Sequence, residues 1–299
     1  MAFNSINTNA GAVVALQSLN RTNAQLDVAQ KRVSTGYRVA DARDDGGAFA
    51  VAQKVRGDIA GVTSANEQLG AAKGLLDTTL SGLNRISDTM ASVRAVVVKL
   101  ADNQVTGTLR DSYTEQYNLL RNQIATFVND STYNGVSLIG TSSIGGGPAA
   151  EEGSNINVVR NEVGGSLTIT GQALNAGESK FDLIDAADVL TTFPPGLGTI
   201  ADSWRGYLTD DTGIGLGQVE TDVNAALNTY GNASKSVMNQ IGFNKDKIDA
   251  LESGLGALID ADLAKESARL QSLQIRQQLG ATALSAANTA PQFLLSLFR

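Results

Sequence analysis

With 299 residues and neither cysteine nor histidine, the chain lacks the parts for a Ser-His-Asp triad, a Cys-His pair, a Cys/His zinc cage or an H-E-x-x-H metalloprotease helix. The apolar fraction is 42% and the aromatic fraction 5%, so any core is built mainly from Ala, Leu, Val and Ile. The formal net charge is -7 and unevenly spread: Arg21, Lys31 and Arg32 outnumber Asp27 in residues 1–33, Lys265, Arg269, Arg276 and Arg299 outnumber Glu266 in residues 265–299, and the excess acid lies between. An acidic body argues against nucleic acid as a partner, because phosphate binding needs Lys and Arg clustered along one face.

The first twenty residues are uncharged and Asn-rich, without the basic start and the apolar stretch of about 7 to 15 residues that a Sec signal needs. No apolar run approaches the roughly 18 residues of a membrane span, so no membrane insertion is expected. Leu16, Leu19, Asn23, Leu26, Gln30 and Val33 follow a three-four spacing that predicts one stripe of a helix from about Thr8 to Ser34. Gly36 suits its left-handed C-cap. Asp41, Asp44 and Asp45 come next; with Arg38 and Arg43 beside them and no fourth oxygen ligand, they predict a capped, ion-paired connector and not a metal site.

From Val62 the a positions are Val62, Leu69, Leu76, Leu83, Met90 and Val97, and the d positions Ala65, Ala72, Thr79, Ile86, Val93 and Leu100. Eleven of these twelve are apolar, which predicts a bundle seam on a helix at least about 58 Å long, a length typical of rods and filament subunits. A third helix presents Tyr113, Tyr117, Leu120, Ile124 and Phe127, and Asn134-Gly135 marks a turn after it.

Between residues 140 and 215, Gly145-Gly146-Gly147-Pro148, Gly164-Gly165, Pro194-Pro195-Gly196 and Gly213-Ile214-Gly215 are expected to break any helix. The alternating runs 155–159 and 166–170 around Gly164-Gly165 predict a β-hairpin there. Helical spacing returns at Val219 and continues through Ile241, Ile248, Leu251, Leu255 and Leu258. Leu270, Leu273, Gln277, Gly280, Leu284 and Ala287 then form a second stripe, which Pro291 is expected to stop, leaving Phe293, Leu294, Leu295, Leu297 and Phe298 as an apolar tail.

The fold class is thus mainly α: a long antiparallel helical bundle or coiled-coil rod formed by the N- and C-terminal segments, with a small central insert containing a β-hairpin. Both terminal stripes are narrow and partly polar, so neither helix is stable alone in water. Each can supply the other's missing face, with the tail buried at a subunit contact; the alternative is a two-helix cap on an ordinary globular domain.

Several ordered motifs at both ends resemble bacterial flagellin. They are Ile6-Asn7-Thr8-Asn9, Arg32-Val33-Ser34-Thr35-Gly36-Tyr37-Arg38-Val39, Asp41-Ala42-Arg43-Asp44-Asp45, Ala48-Phe49-Ala50-Val51-Ala52, Tyr133-Asn134-Gly135-Val136-Ser137-Leu138, Asp260-Ala261-Asp262-Leu263-Ala264, Ala287-Asn288, Pro291-Gln292 and Leu294-Leu295-Ser296-Leu297. The resemblance covers roughly residues 1 to 140 and 215 to 299 and is of the compact kind with a short middle. It implies a structural subunit, not an enzyme, that leaves the cell through the flagellar type III channel and polymerises under a cap into the extracellular motility filament; a hook-filament junction protein of the same superfamily is the alternative.

The implied partners are the chain itself, possibly with paralogous flagellins, together with an export chaperone, the cap and hook-junction proteins. No cofactor, metal or nucleic acid is implied, and the metalloprotease insert of some members is ruled out by the lack of histidine. The implied domains are residues 1–40 with 265–299 as a terminal coiled coil lining an inner tube, 41–140 with 215–264 as a helical rod, and 141–214 as an outward insert. Assembly contacts fall to Leu16, Leu19, Leu26, Val33, Leu270, Leu273 and Leu284 in the inner layer and to the tail from Phe293 to Phe298.

Many members are bound by an animal toll-like receptor through Leu-Gln-Arg-x-Arg-Glu-Leu on the long helix. The matching stretch here is Met90-Ala91-Ser92-Val93-Arg94-Ala95-Val96, with Gln116 aligned to the family's partner glutamate. Weak or absent recognition is expected. The sequons at Asn129 and Asn232 are read as ordinary surface asparagines.

Overall fold

The structure, a computed structural model, describes residues 9–144, 150–173, 180–193, 199–210 and 215–297, with side chains as far as residue 289. The described helices are α1 (Ala10–Thr35), α2 (Gly46–Leu100), α3 (Thr108–Asp130), α4 (Ala186–Thr192), α5 (Ile200–Thr209), α6 (Leu216–Ile259) and α7 (Leu263–Leu297). Two antiparallel ladders accompany them: β1 (Thr132–Tyr133) with β2 (Val136–Ser137), and β3 (Ile156–Val159) with β4 (Ser166–Ile169). The chain divides into two compact units, residues 1–59 with 249–299 and residues 60–248.

In the larger unit the heptad of α2 is the spine of the core. All twelve a and d residues from Val62 to Leu100 are at most 5% exposed. Thr79, the one polar member, keeps its hydroxyl satisfied by donating to Leu75 O at 2.9 Å, so burying it leaves no orphan. Tyr117, Ile124 and Val128 of α3 and Leu216, Val219, Val223, Ala226, Tyr230 and Val237 of α6 join this core. The β1–β2 turn places Asn134 at φ 51° and Gly135 at φ 76°, the left-handed pair that lets a two-residue hairpin follow the strand twist.

The β3–β4 hairpin forms as expected, with Val159 opposite Ser166, and its connecting loop is pinned to both long helices. Asn244, 1% exposed, donates to Asn66 Oδ1 at 2.9 Å and to Arg160 O at 3.0 Å. Lys247 pairs with Glu162 at 2.6 Å, and Glu162 packs so closely on Gly61 that a Cβ there would lie 2.9 Å from Glu162 Cβ.

The insert departs from expectation in carrying α4 and α5. Local capping outweighs the neighbouring glycines and prolines: Asp185 accepts from Ala187 N at 2.9 Å, and Asp202 reaches back to Thr199 N at 2.5 Å. The glycine and proline runs themselves, apart from Gly164-Gly165 and Gly215, lie outside the described residues. Both short helices join the main core through Val189, Trp204 and Tyr207. Trp204 meets Tyr117 edge-on at 5.1 Å, Tyr117 Oη donates to Ile184 O at 2.7 Å, and Arg121 Nε donates to Leu183 O at 2.7 Å. Burial drives the Tyr117 and Tyr207 hydroxyls well above their ordinary pKa.

Asn129 is tied down as well, since its amide donates to Ser142 O at 3.0 Å and accepts from Ser142 N at 2.7 Å.

Candidate assembly interface

The smaller unit is organised by α1 and α7, which run antiparallel. Arg32 meets Glu266 at 3.0 Å near one end, Asn23 accepts from Gln277 at 2.9 Å in the middle, and Asn9 donates to Ala287 O at 2.8 Å at the other end. On α1 the protected positions are Ala12, Ala15, Leu19, Thr22, Asn23, Leu26, Ala29, Lys31, Arg32 and Val33. Leu19, Leu26 and Val33 therefore lie where the spacing placed them, whereas Leu16 is 47% exposed and Gln30 is also exposed.

The reason for that shift is one of phase. A stripe through Ala12, Ala15 and Ala29 shares Leu19, Leu26 and Val33 with the expected one but puts small side chains at the remaining seam positions, which lets the helices approach. On α7 the protected residues are Glu266, Leu270, Leu273, Gln277, Gly280, Leu284 and Ala287, the stripe read from the sequence with Glu266 one turn before it. Gly280 is the hole for Leu19, since a Cβ at Gly280 would stand 3.2 Å from Leu19 Cδ1.

This pair keeps little of itself out of water. Among the described residues of the two helices, Ala29, Glu266 and Leu273 are the buried ones. By contrast Val13, Val14, Leu16, Val28, Leu263, Ile275 and Leu279 are 42–65% exposed. These seven apolar residues of the two helices are thus left to solvent in the single chain.

Pro291 does not end α7, whose backbone continues to Leu297. A proline inside a helix removes the donor for the carbonyl four residues back, here Ala287 O, and the Asn9 amide occupies that carbonyl. The side chains of Phe293, Leu294, Leu295 and Leu297, and the whole of Phe298, lie outside the described residues.

The connectors at the foot of the pair are zipped by backbone. Arg38 N donates to Ile259 O at 2.7 Å and Ala261 N to Gly36 O at 2.9 Å, making an antiparallel bridge between Tyr37 and Asp260. Val39, Ala52 and Ile259 form a small core beneath it.

The acidic cluster is an ion-paired cap, with a different cation from those expected. Lys31 Nζ bridges Asp41 at 2.8 Å and Asp44 at 2.9 Å, while Arg38 turns away to donate to Leu258 O at 2.5 Å. Lys31 sits ten residues before Asp41, on α1, so a search among sequence neighbours passes over it. Asp45 caps α2 by accepting from Ala48 N at 3.0 Å. The Lys31 hydrogen bond, with the Ala40 amide second, holds the Asp44 carboxyl down at about 2. Among the described residues no group of three or more His, Cys, Asp or Glu is arranged to hold a metal ion, and no helix is long and apolar enough to cross a membrane.

In the larger unit Arg94 forms a two-pronged ion pair with Glu220 of α6 through Nε, at 2.7 Å, and through Nη2. The partner of Arg94 is thus a glutamate on a different helix from the one that carries Gln116.

A helical core spined by a heptad seam, with α1 and α7 paired into a unit that leaves apolar residues exposed, has the architecture of a structural subunit. The sequence matches the bacterial flagellin N-terminal helical region over residues 6–143 and the bacterial flagellin C-terminal helical region over residues 214–298; the chain belongs to the bacterial flagellin family. Flagellin FljM of Caulobacter vibrioides is 32% identical over 300 residues, covering 100% of both chains. A flagellin of Brucella melitensis is 32% identical over 309 residues, covering 99% of each.

A solved structure of a flagellar hook-associated protein from Vibrio parahaemolyticus superposes with a TM-score of 0.56 over 73% of this chain and 100% of that one, at 13% identity. That likeness is one of fold alone. The full-length relatives decide for a structural subunit of the flagellar filament, outside the cell, over a junction protein and over any enzyme.

Proposed function

We propose that the α1/α7 pair forms the inner layer of the filament, that the core unit forms the surrounding rod, and that the loop-rich insert between β2 and α6 faces outward. The observation that carries this reading is the ratio of burial to exposure on α1 and α7. Each leucine or isoleucine covered by a neighbour contributes about 1.5–3 kcal/mol, and several per subunit offset the cost of ordering two helices that are marginal alone. Contacts of this kind repeated head to tail without closing make an open helical polymer.

Export unfolded through the type III channel, with a chaperone, and growth under a cap on hook-junction proteins follow from the family reading. The tail from Phe293 to Phe298 seals against a neighbouring subunit, and Leu16, off the α1/α7 seam, belongs to the same outward contact set. Weak receptor recognition is part of this reading, supported by Arg94 being held by Glu220 within the chain.

The test is polymerisation of the purified chain on filament seeds, followed by sedimentation, electron microscopy and circular dichroism. Filaments of uniform width with a rise in helicity are the expected result. Deleting residues 291–299 should leave a folded core that cannot elongate, and normal elongation by that deletion would refute the role of the tail.

A further inference from the structure

We propose that Asn9 is a positioning residue for the C-terminal tail: its side-chain amide completes the helix of α7 at the gap made by Pro291, so that the tail projects correctly only when the start of α1 has docked. This rests on the filament reading above. The chemistry is local and closed. Pro291 has no N–H, so Ala287 O loses its helical donor. Asn9 Nδ2 donates to Ala287 O at 2.8 Å. The preceding carbonyl, Ala286 O, accepts from Thr289 Oγ1 at 2.9 Å.

Asn9 is suited to this because it has two jobs with opposite polarity. Its Oδ1 accepts from Ala12 N at 3.1 Å and caps α1, which turns Nδ2 toward the carbonyl and fixes the orientation of the amide. Aspartate caps a helix as well as asparagine but cannot donate, so Asn9→Asp separates the two jobs. It keeps the α1 cap and sets a carboxylate oxygen against Ala287 O.

The experiment compares wild type, Asn9→Asp, Pro291→Ala and the double variant in seeded polymerisation, reading the critical concentration by sedimentation and amide hydrogen exchange over residues 288–297 in the filaments. Leaving one carbonyl unpaired is expected to raise the critical concentration about tenfold in Asn9→Asp and to speed exchange past the proline. Pro291→Ala restores a backbone N–H to Ala287 O, so in that background Asn9→Asp should cost clearly less on both readouts than it does beside the proline, only the carboxylate's repulsion of the carbonyl remaining.

Wild-type polymerisation and exchange in Asn9→Asp overturn the proposal, and so does a loss that Pro291→Ala fails to lessen. A deletion of 291–299 that elongates normally overturns the filament role of the tail itself, a result distinct from either.

Discussion

Leu279 offers a direct measure of how much the filament gains from the outward face of α7. It is 62% exposed, so Leu279→Ala removes little that the single chain uses, and its thermal midpoint should stay within the error of an ordinary surface substitution, about 0.5 kcal/mol. Fully burying a leucine contributes about 1.5–3 kcal/mol. With three-fifths of this residue still available, coverage by a neighbour would contribute about 1–2 kcal/mol, and its loss would raise the critical concentration about 5- to 30-fold.

The assay is the supernatant concentration after seeded polymerisation over a dilution series, paired with a melt of the unassembled chain. A critical concentration equal to wild type would show that this face stays in water in the polymer, and the argument from exposed apolar residues would fail. A drop in the thermal midpoint of the unassembled chain would instead show that the residue already serves the isolated fold.

Two further outcomes follow from packing and charge. Gly82 and Gly70 both lie inside α2, where alanine ordinarily stabilises by about 0.5–1 kcal/mol. A Cβ at Gly70 meets open space, whereas one at Gly82 falls 1.8 Å from Ser131 Oγ and 3.0 Å from Ser131 Cβ. Gly70→Ala should therefore stabilise, and Gly82→Ala should destabilise by about 1–3 kcal/mol in denaturant melts; the same sign for both would refute the contact.

The Asp44 carboxyl is held down at about 2 in the folded chain, against about 3.9 when unfolded. Its contribution to stability is present above about pH 4 and is lost as pH falls toward 2. Asn at position 44 should flatten the acid limb of a melting-temperature profile, and an unchanged acid limb would show that the Lys31 bridge is not formed in solution.

What could be read from the chain without coordinates depended on how far each cause lies along it. The α2 heptad is strictly periodic over a long run, so its phase is unambiguous and all of its positions are buried. The phase of α1 was not, because Leu19, Leu26 and Val33 satisfy two stripes equally and the deciding members are alanines, whose hydropathy is too weak to separate them. Helix α5 carries a local signal in the Thr199 to Asp202 box and the spacing of Ile200, Trp204 and Tyr207, but the flanking prolines and glycines mask it.

The continuation of α7 past Pro291 had no local signal at all. Its compensating donor sits 278 residues away, as the Lys31 partner of the acidic cluster sits back on α1. Short-range rules state what a residue cannot do for itself, and only the fold shows what another residue does for it.

The backbone bridge between Tyr37 and Asp260 ties the lengths of two distant stretches of chain together. One residue added within α1 between Asn23 and Gly36, with the bridge kept, would advance the preceding part of α1 along α7 by about 1.5 Å and turn it by about 100°. That is enough to take Leu19 off Gly280 and Asn23 off Gln277. A lengthening of one helix between the bridge and these contacts must therefore be matched by one in the other to keep the seam in register, although more than two hundred residues separate the two sides of the bridge.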